Sequence, residues 1–235
     1  MNACDLALPC ITQLQPYQPG KPIEELEREL GISNIIKLAS NENPLGPSAN
    51  VLAALSTANQ EIHLYPDGNG FTLKTALAEK YGLLREQITL GNGSNDVLEL
   101  VARAFVCSND EVIFSQYAFA VYPLVTQAIG ARSVIAAAKA YGHDLDAMSS
   151  LITDKTKLIF IANPNNPTGT GIEPESLQIF LEQVSNNIIV VLDEAYLEYG
   201  EQNVNTIEWL DLYPNLVITR TFSKAYGLAG LRVGY

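Results

Sequence analysis

The sequence predicts an α/β layered domain built on a mostly parallel sheet. Two observations carry that reading. Short β-branched runs recur along the chain, and several are apolar on both faces, as strands covered on both sides must be. Helical patterns separate most of them, the alternation that a layered α/β fold requires.

Each element has its own signal. Up to about Asn50 the chain is rich in Pro, Gly and Asn, and residues 1–40 read as an arm. The arm holds one helix, Ile23 to Leu30, closed by Gly31. Residues 41–235 read as the domain proper. Phe71 to Tyr81 sets Leu73, Leu77 and Tyr81 at helical spacing, and Gly82 stops it. Val97 to Val106 is amphipathic, with Ser94 or Asn95 as its cap. Strands follow at Glu111 to Phe114, Ser133 to Ile135, Leu158 to Ile161, Ile188 to Leu192 and Leu216 to Thr219. Pro174 to Val184 reads as a helix with Pro174 in its first turn.

Composition narrows the function classes. The 235 residues are 47% hydrophobic and 17% charged, enough apolar mass for a core. Net charge is -12, from 14 basic and 26 acidic residues, which argues against nucleic-acid or anionic-membrane partners. Cys4, Cys10 and Cys107 are odd in number and lack a C-x-x-C spacing, so neither a disulfide framework nor a zinc site is expected, and a reducing cytoplasm fits. Cys107 follows Ala104-Phe105-Val106 and reads as a core filler. No basic region opens the chain and Asp5 stands there, so no signal peptide is expected. No apolar run approaches the roughly 18 residues of a membrane helix.

Ligands of open α/β sheets collect at the carboxyl ends of the strands. Three such places carry unusual residues. The first is Thr221-Phe222-Ser223-Lys224 with Arg232 beyond it: a lysine just past a buried strand, where desolvation makes an amine nucleophilic, beside hydroxyls and a guanidinium suited to a phosphate. Taken alone, such a lysine is also read as a solvated loop charge. The second is Asp193, which ends a wholly apolar strand and needs a cationic or hydrogen-bonding partner, or else caps a helix. The third, Asn163-Pro164-Asn165-Asn166-Pro167-Thr168-Gly169, is a tight turn whose amides can reach a ligand oxygen. A fourth motif, Gly91-Asn92-Gly93-Ser94-Asn95, opens a helix, where free N–H groups bind phosphate. It is neither a Walker loop nor a dinucleotide fingerprint.

With Tyr65-Pro66-Asp67-Gly68, these motifs stand in the order of one family. From about residue 10 to its end the chain resembles the fold-type I, class I/II aminotransferases, which use pyridoxal 5′-phosphate (PLP). The resemblance implies a three-layer α/β sandwich with a mostly parallel sheet. It also implies that the family's small C-terminal domain is absent here, so that residues 41–235 form an incomplete large domain. Lys224 is then the catalytic lysine that carries PLP and shuttles a proton, and Asp193 pairs with the ring nitrogen. Asn166 and Tyr196 bond the ring's 3-oxygen. Ser94, Asn95, Thr221, Ser223 and Arg232 hold the phosphate, and Phe119, preferred by spacing over Tyr117 and Tyr122, stacks on the ring. Tyr122 is read as core packing. Tyr65 is expected to reach the partner's site in a homodimer, and Tyr17 and Asn43 to lie near the substrate. The implied reaction moves an amino group between a small-molecule amino donor, L-histidinol phosphate first, and a 2-oxo acid such as 2-oxoglutarate. A decarboxylase of phosphothreonine, an aromatic aminotransferase and an inactive PLP-binding fragment are the alternatives. The arginine that grips the substrate carboxylate is expected beyond residue 235.

Overall fold

The computed structural model describes residues 3–17, 20–200 and 204–235. Met1 and Asn2 of the expected arm lie outside the described residues. Its helices are α1 (Pro9–Thr12), α2 (Ile23–Leu30), α3 (Ala49–Ala58), α4 (Phe71–Tyr81), α5 (Ser94–Phe105), α6 (Val121–Ile129), α7 (Leu145–Ser150) and α8 (Pro174–Gln183). The strands are β1 (Glu111–Ser115), β2 (Arg132–Ala136), β3 (Thr156–Ala162), β4 (Ile189–Asp193) and β5 (Leu216–Thr219). They form one sheet in the order β2-β1-β3-β4-β5, parallel at every pair.

Strand side chains alternate between faces, and here both faces are covered. Ile113, Ile159, Ile161, Val190 and Leu192 pack one way against Met148 of α7 and Leu177 and Phe180 of α8. Val112, Phe114, Leu158, Phe160 and Val191 pack the other way against Leu98 and Ala102 of α5 and Tyr122 and Val125 of α6. The result is a three-layer α/β sandwich, as the doubly apolar strands predict. Each fully buried Leu, Ile, Val or Phe in it contributes about 1.5–3 kcal/mol.

Three local expectations change. The arm holds a second short helix, α1, besides α2, with Pro9 in its first turn. Helix α5 starts at Ser94, with Gly93 as its cap, so Ser94 and Asn95 occupy the first turn instead of capping it. Gly93 adopts φ 86°, which a glycine supplies at little cost, and Asp96 accepts the Asn92 N–H in place of a capping side chain. Cys107 is exposed and fills no core. The helix ends one residue before Val106, and a surface turn follows in which the Cys107 N–H bonds the Asp110 carboxylate at 2.7 Å.

The end of the chain positions the site. Residues 233–235 run antiparallel beside the segment that follows β5, and Gly234 bridges both Thr221 and Gly91. Arg220 and Tyr235 exchange two backbone hydrogen bonds, at 2.7 and 2.9 Å. The N-terminus of α5 is thereby laid against the loop that carries Lys224.

Candidate active site

Strands β3, β4 and β5 end side by side, with Asp193 in register with Thr219. At these ends lies a cleft of about 420 Å³. Ser94, Asn95, Thr221, Ser223 and Arg232 line it, and so do Asn166, Asp193, Tyr196, Lys224 and Phe119. Tyr17, Ser40 and Asn41 of the N-terminal region complete the wall. A larger cavity of about 660 Å³ adjoins it through Asn41, Pro164, Asn166 and Tyr196, but neither Asp193 nor Lys224 lines it. The residues expected to carry the chemistry line the smaller one.

The groups from α5 and from the post-β5 loop make an anion cradle. Ser94 and Asn95 bring the first turn of α5 to the cleft, where a helix has free N–H groups, and Thr221 and Ser223 bring hydroxyls. Arg232 is held by three contacts: its Nη1 donates to Ser223 Oγ and to Ala229 O, both at 3.0 Å, and its Nη2 to Asn92 O at 3.3 Å. Two glycines permit this packing. A Cβ on Gly93 would lie 2.2 Å from Arg232 Nη2, and one on Gly234 would lie 2.3 Å from the Ser94 nitrogen.

Asp193 is buried, and burial pushes its carboxyl above the usual aspartate range; hydrogen bonds from Tyr122, Thr219 and Ala195 oppose the shift. The Tyr122 hydroxyl donates to Oδ2 at 2.8 Å, and the Thr219 hydroxyl and Ala195 N–H donate to Oδ1 at 3.1 and 3.2 Å. The short 3-10 helix that follows, Leu197–Tyr199, has Tyr196 at its N-cap, so Asp193 is not a cap. The partly buried Lys224 amine lies 5.4 Å from the Tyr196 ring centroid and donates to Ser40 O at 2.9 Å. Burial lowers its pKa, the Arg232 charge lowers it further, and Glu42 opposes both. Tyr196 accepts from Asn41 Nδ2 at 2.9 Å, and burial raises its phenol.

A phosphate-bearing ring fits this donor set. The cradle matches a phosphate, the buried carboxylate a protonated ring nitrogen, and the amine of lowered pKa a carbonyl carbon. Of the residues expected at the site, Tyr65 and Asn43 do not line the cleft. Tyr65 is fully exposed, and Asn43 Nδ2 donates to the backbone of Ala225, beside Lys224. Thr219 and the hydroxyl of Tyr122 went unnoticed in the sequence. Thr219 carried one signal, its place at the carboxyl end of a β-branched run. Tyr122 carried another, its position one helical turn after Phe119.

Comparison with known proteins shows the family. The family profile "Aminotransferase class I and II" matches residues 33–235. The chain belongs to the class I and II aminotransferases. Among members of this aminotransferase family, a histidinol-phosphate aminotransferase 1 of Idiomarina loihiensis is 60% identical over all of the chain and 64% of its own length. A histidinol-phosphate aminotransferase 2 of Nitrosospira multiformis is 57% identical over all of the chain and 61% of its own. The crystal structure of histidinol-phosphate aminotransferase from Sinorhizobium meliloti, in complex with pyridoxal-5′-phosphate, superposes with a TM-score of 0.87 at 32% identity, covering 96% of this chain and 61% of that one. This aminotransferase chain therefore spans somewhat under two thirds of the length of the relatives it matches.

Proposed function

We propose that the cleft holds PLP on Lys224 and that the chain serves amino-group transfer from L-histidinol phosphate to 2-oxoglutarate, giving imidazole acetol phosphate and L-glutamate. The observation that carries this reading is the convergence of a lysine of lowered pKa, a buried carboxylate and an anion cradle in one cleft. The relatives of 57–60% identity that bear this enzyme's name support the choice of donor.

When bound, PLP supplies an electron sink for negative charge developing at the substrate Cα. The chain's own residues do the rest. The first-turn amides of Ser94 and Asn95, the hydroxyls of Thr221 and Ser223, and the Arg232 guanidinium hold the phosphate. Asp193 accepts the ring N–H, Asn166 and Tyr196 bond the 3-oxygen, and Phe119 covers a ring face. The Lys224 amine would attach the cofactor and, once released, would stand as the general base that moves the proton at the substrate Cα. Tyr17 lies on the substrate side of the cleft, and Asn43 holds the backbone beside Lys224. Residues 1–40 act as an arm, and two chains form a homodimer in which Tyr65 of each reaches the other's cleft. The reading places the protein in the cytoplasm.

The purified chain mixed with PLP is expected to develop a visible absorbance band, fixed by borohydride and mapped to the Lys224 peptide. Lys224→Ala should lose the band and keep the far-ultraviolet circular dichroism of the parent. A band that persists in Lys224→Ala would overturn the assignment. Adding L-histidinol phosphate to the loaded chain should convert the band to that of the aminated cofactor; a loaded chain that responds only to other amino donors would overturn the substrate.

A further inference from the structure

We propose that Tyr122 is a positioning residue for the ring-binding end of the cleft: its hydroxyl fixes the Asp193 carboxylate, and its ring braces Phe119. The proposal rests on the reading above, that a cofactor ring lies between these two groups.

Tyr122 itself never reaches the cleft. It has no exposed surface, and its side chain is among the largest fully buried ones. Its ring stacks on Phe160 at 4.5 Å and 5° and meets Phe119 edge-on at 5.9 Å and 90°. A phenylalanine would fill that space equally well. The hydroxyl therefore needs its own reason, because a buried phenol is costly unless its O–H finds an acceptor. The acceptor is Asp193 Oδ2, at 2.8 Å.

The count of acceptor sites gives the bond its meaning. An ionised carboxylate offers about four lone-pair positions, two on each oxygen. Thr219 and Ala195 take both positions on Oδ1. Tyr122 takes one on Oδ2, which leaves one position on that oxygen for a ring N–H. Three donors from three elements, α6, β5 and the loop after β4, thus lock the carboxylate's rotation and favour its ionised form. Phe119 and Tyr122 share one turn at the start of α6, tied by the Tyr122 N–H to Phe119 O bond at 3.1 Å. One helix terminus therefore sets both the stacking ring and, through the hydroxyl, the carboxylate.

Tyr122→Phe in the full chain tests this by two readouts, the PLP dissociation constant and the Asp193 carboxylate stretch in the infrared spectrum of the PLP-free protein. The band is identified by its loss in Asp193→Asn. Tyr122→Phe is expected to shift the band and to weaken PLP binding by about 10–100-fold, the scale on which losing the group that orients a ligand-binding side chain costs affinity in metal sites. A Tyr122 that only fills space would leave both readouts at parental values, and that result overturns the proposal. Should Tyr122→Phe fail to fold, 3-fluorotyrosine at position 122 keeps the shape and alters only the acidity of the donor; a shifted band supports the proposal and an unmoved one overturns it. If Asp193→Asn itself binds PLP as the parent does, the cofactor reading fails, while the band in the PLP-free chain still decides the role of Tyr122.

Discussion

Lys224 illustrates how the site works at the scale of one residue. Its amine is partly buried between the Ser40 carbonyl and the Tyr196 ring, and both desolvation and the Arg232 charge disfavour its protonated form. A lowered lysine pKa makes the neutral amine more abundant at a given pH. In stability terms the contribution is present above the ordinary value of 10.5 and is lost as pH falls through the lowered one. Attachment of pyridoxal, the aldehyde without its phosphate, should therefore accelerate as pH rises and level off below 10.5, read by stopped-flow absorbance. Arg232→Gln should move the midpoint upward, because one of the two lowering causes is removed. Unchanged midpoints in parent and variant would mean that Arg232 does not act on the amine. This residue was legible in the sequence from its chain neighbours Thr221, Phe222 and Ser223, although the Ser40 carbonyl that meets its amine lies 184 positions away. Tyr122 and Thr219 were not, because their partner Asp193 is 71 and 26 positions away and nothing local marks the contact.

Between elements, the buried Glu194–Arg220 pair ties the end of β4 to the end of β5. Arg220 donates to Glu194 Oε2 at 2.8 Å, Thr206 donates to Oε1 at 2.5 Å, and the guanidinium lies 5.0 Å from the Tyr81 ring centroid. Both side chains are nearly inaccessible, at 7% and 2% exposure, so water cannot stand in for a lost partner. Arg220→Met should cost about 3–5 kcal/mol, the usual effect of stranding one buried charge. Burial already raises Glu194, and Arg220 opposes that rise. Removing the arginine raises it further. A carboxyl with a raised folded-state pKa stabilises the fold at low pH and loses that contribution as pH rises. The variant's deficit should therefore be small in acid and grow toward neutral pH, as measured by urea unfolding at two pH values. A deficit independent of pH would show that charge is not the cause. The five strands and the helices α2, α4, α5 and α8 were legible from β-branching, 3.6-residue spacing and stop glycines; α1, α3, α6 and α7 were not placed. The strand order was not, because placing β1 between β2 and β3 depends on pairings between distant segments. Nor was the 3-10 segment Thr206–Asp211 with its buried Trp209, whose short turn leaves no periodicity to read.

Across the whole molecule, the most exposed large apolar side chains fall in one stretch of chain. Ile36, Leu38, Leu45, Ile62 and Tyr65 are each more than four-fifths exposed, whereas Ile159, Phe160 and Val191 in the sheet are wholly buried. Large exposed apolar groups clustered in one segment mark a surface awaiting a partner. The homodimer reading supplies one, and it predicts that each cleft is completed by the other chain's Tyr65. Leu45→Asp with Ile62→Asp should shift the chain to monomer in sedimentation velocity, because four carboxylates would be buried per dimer on a chain already at -12. Shared sites can be tested by mixing. Tyr65→Ala alone should bind PLP weakly, and Lys224→Ala alone should attach none. In a mixed dimer one cleft carries both defects, while the other combines an intact Lys224 with the partner's intact Tyr65. Mixing the two variants should thus restore borohydride-stable PLP at parental affinity in one site per mixed dimer. If mixing restores nothing while both variants remain dimeric, Tyr65 acts on its own chain or not at all.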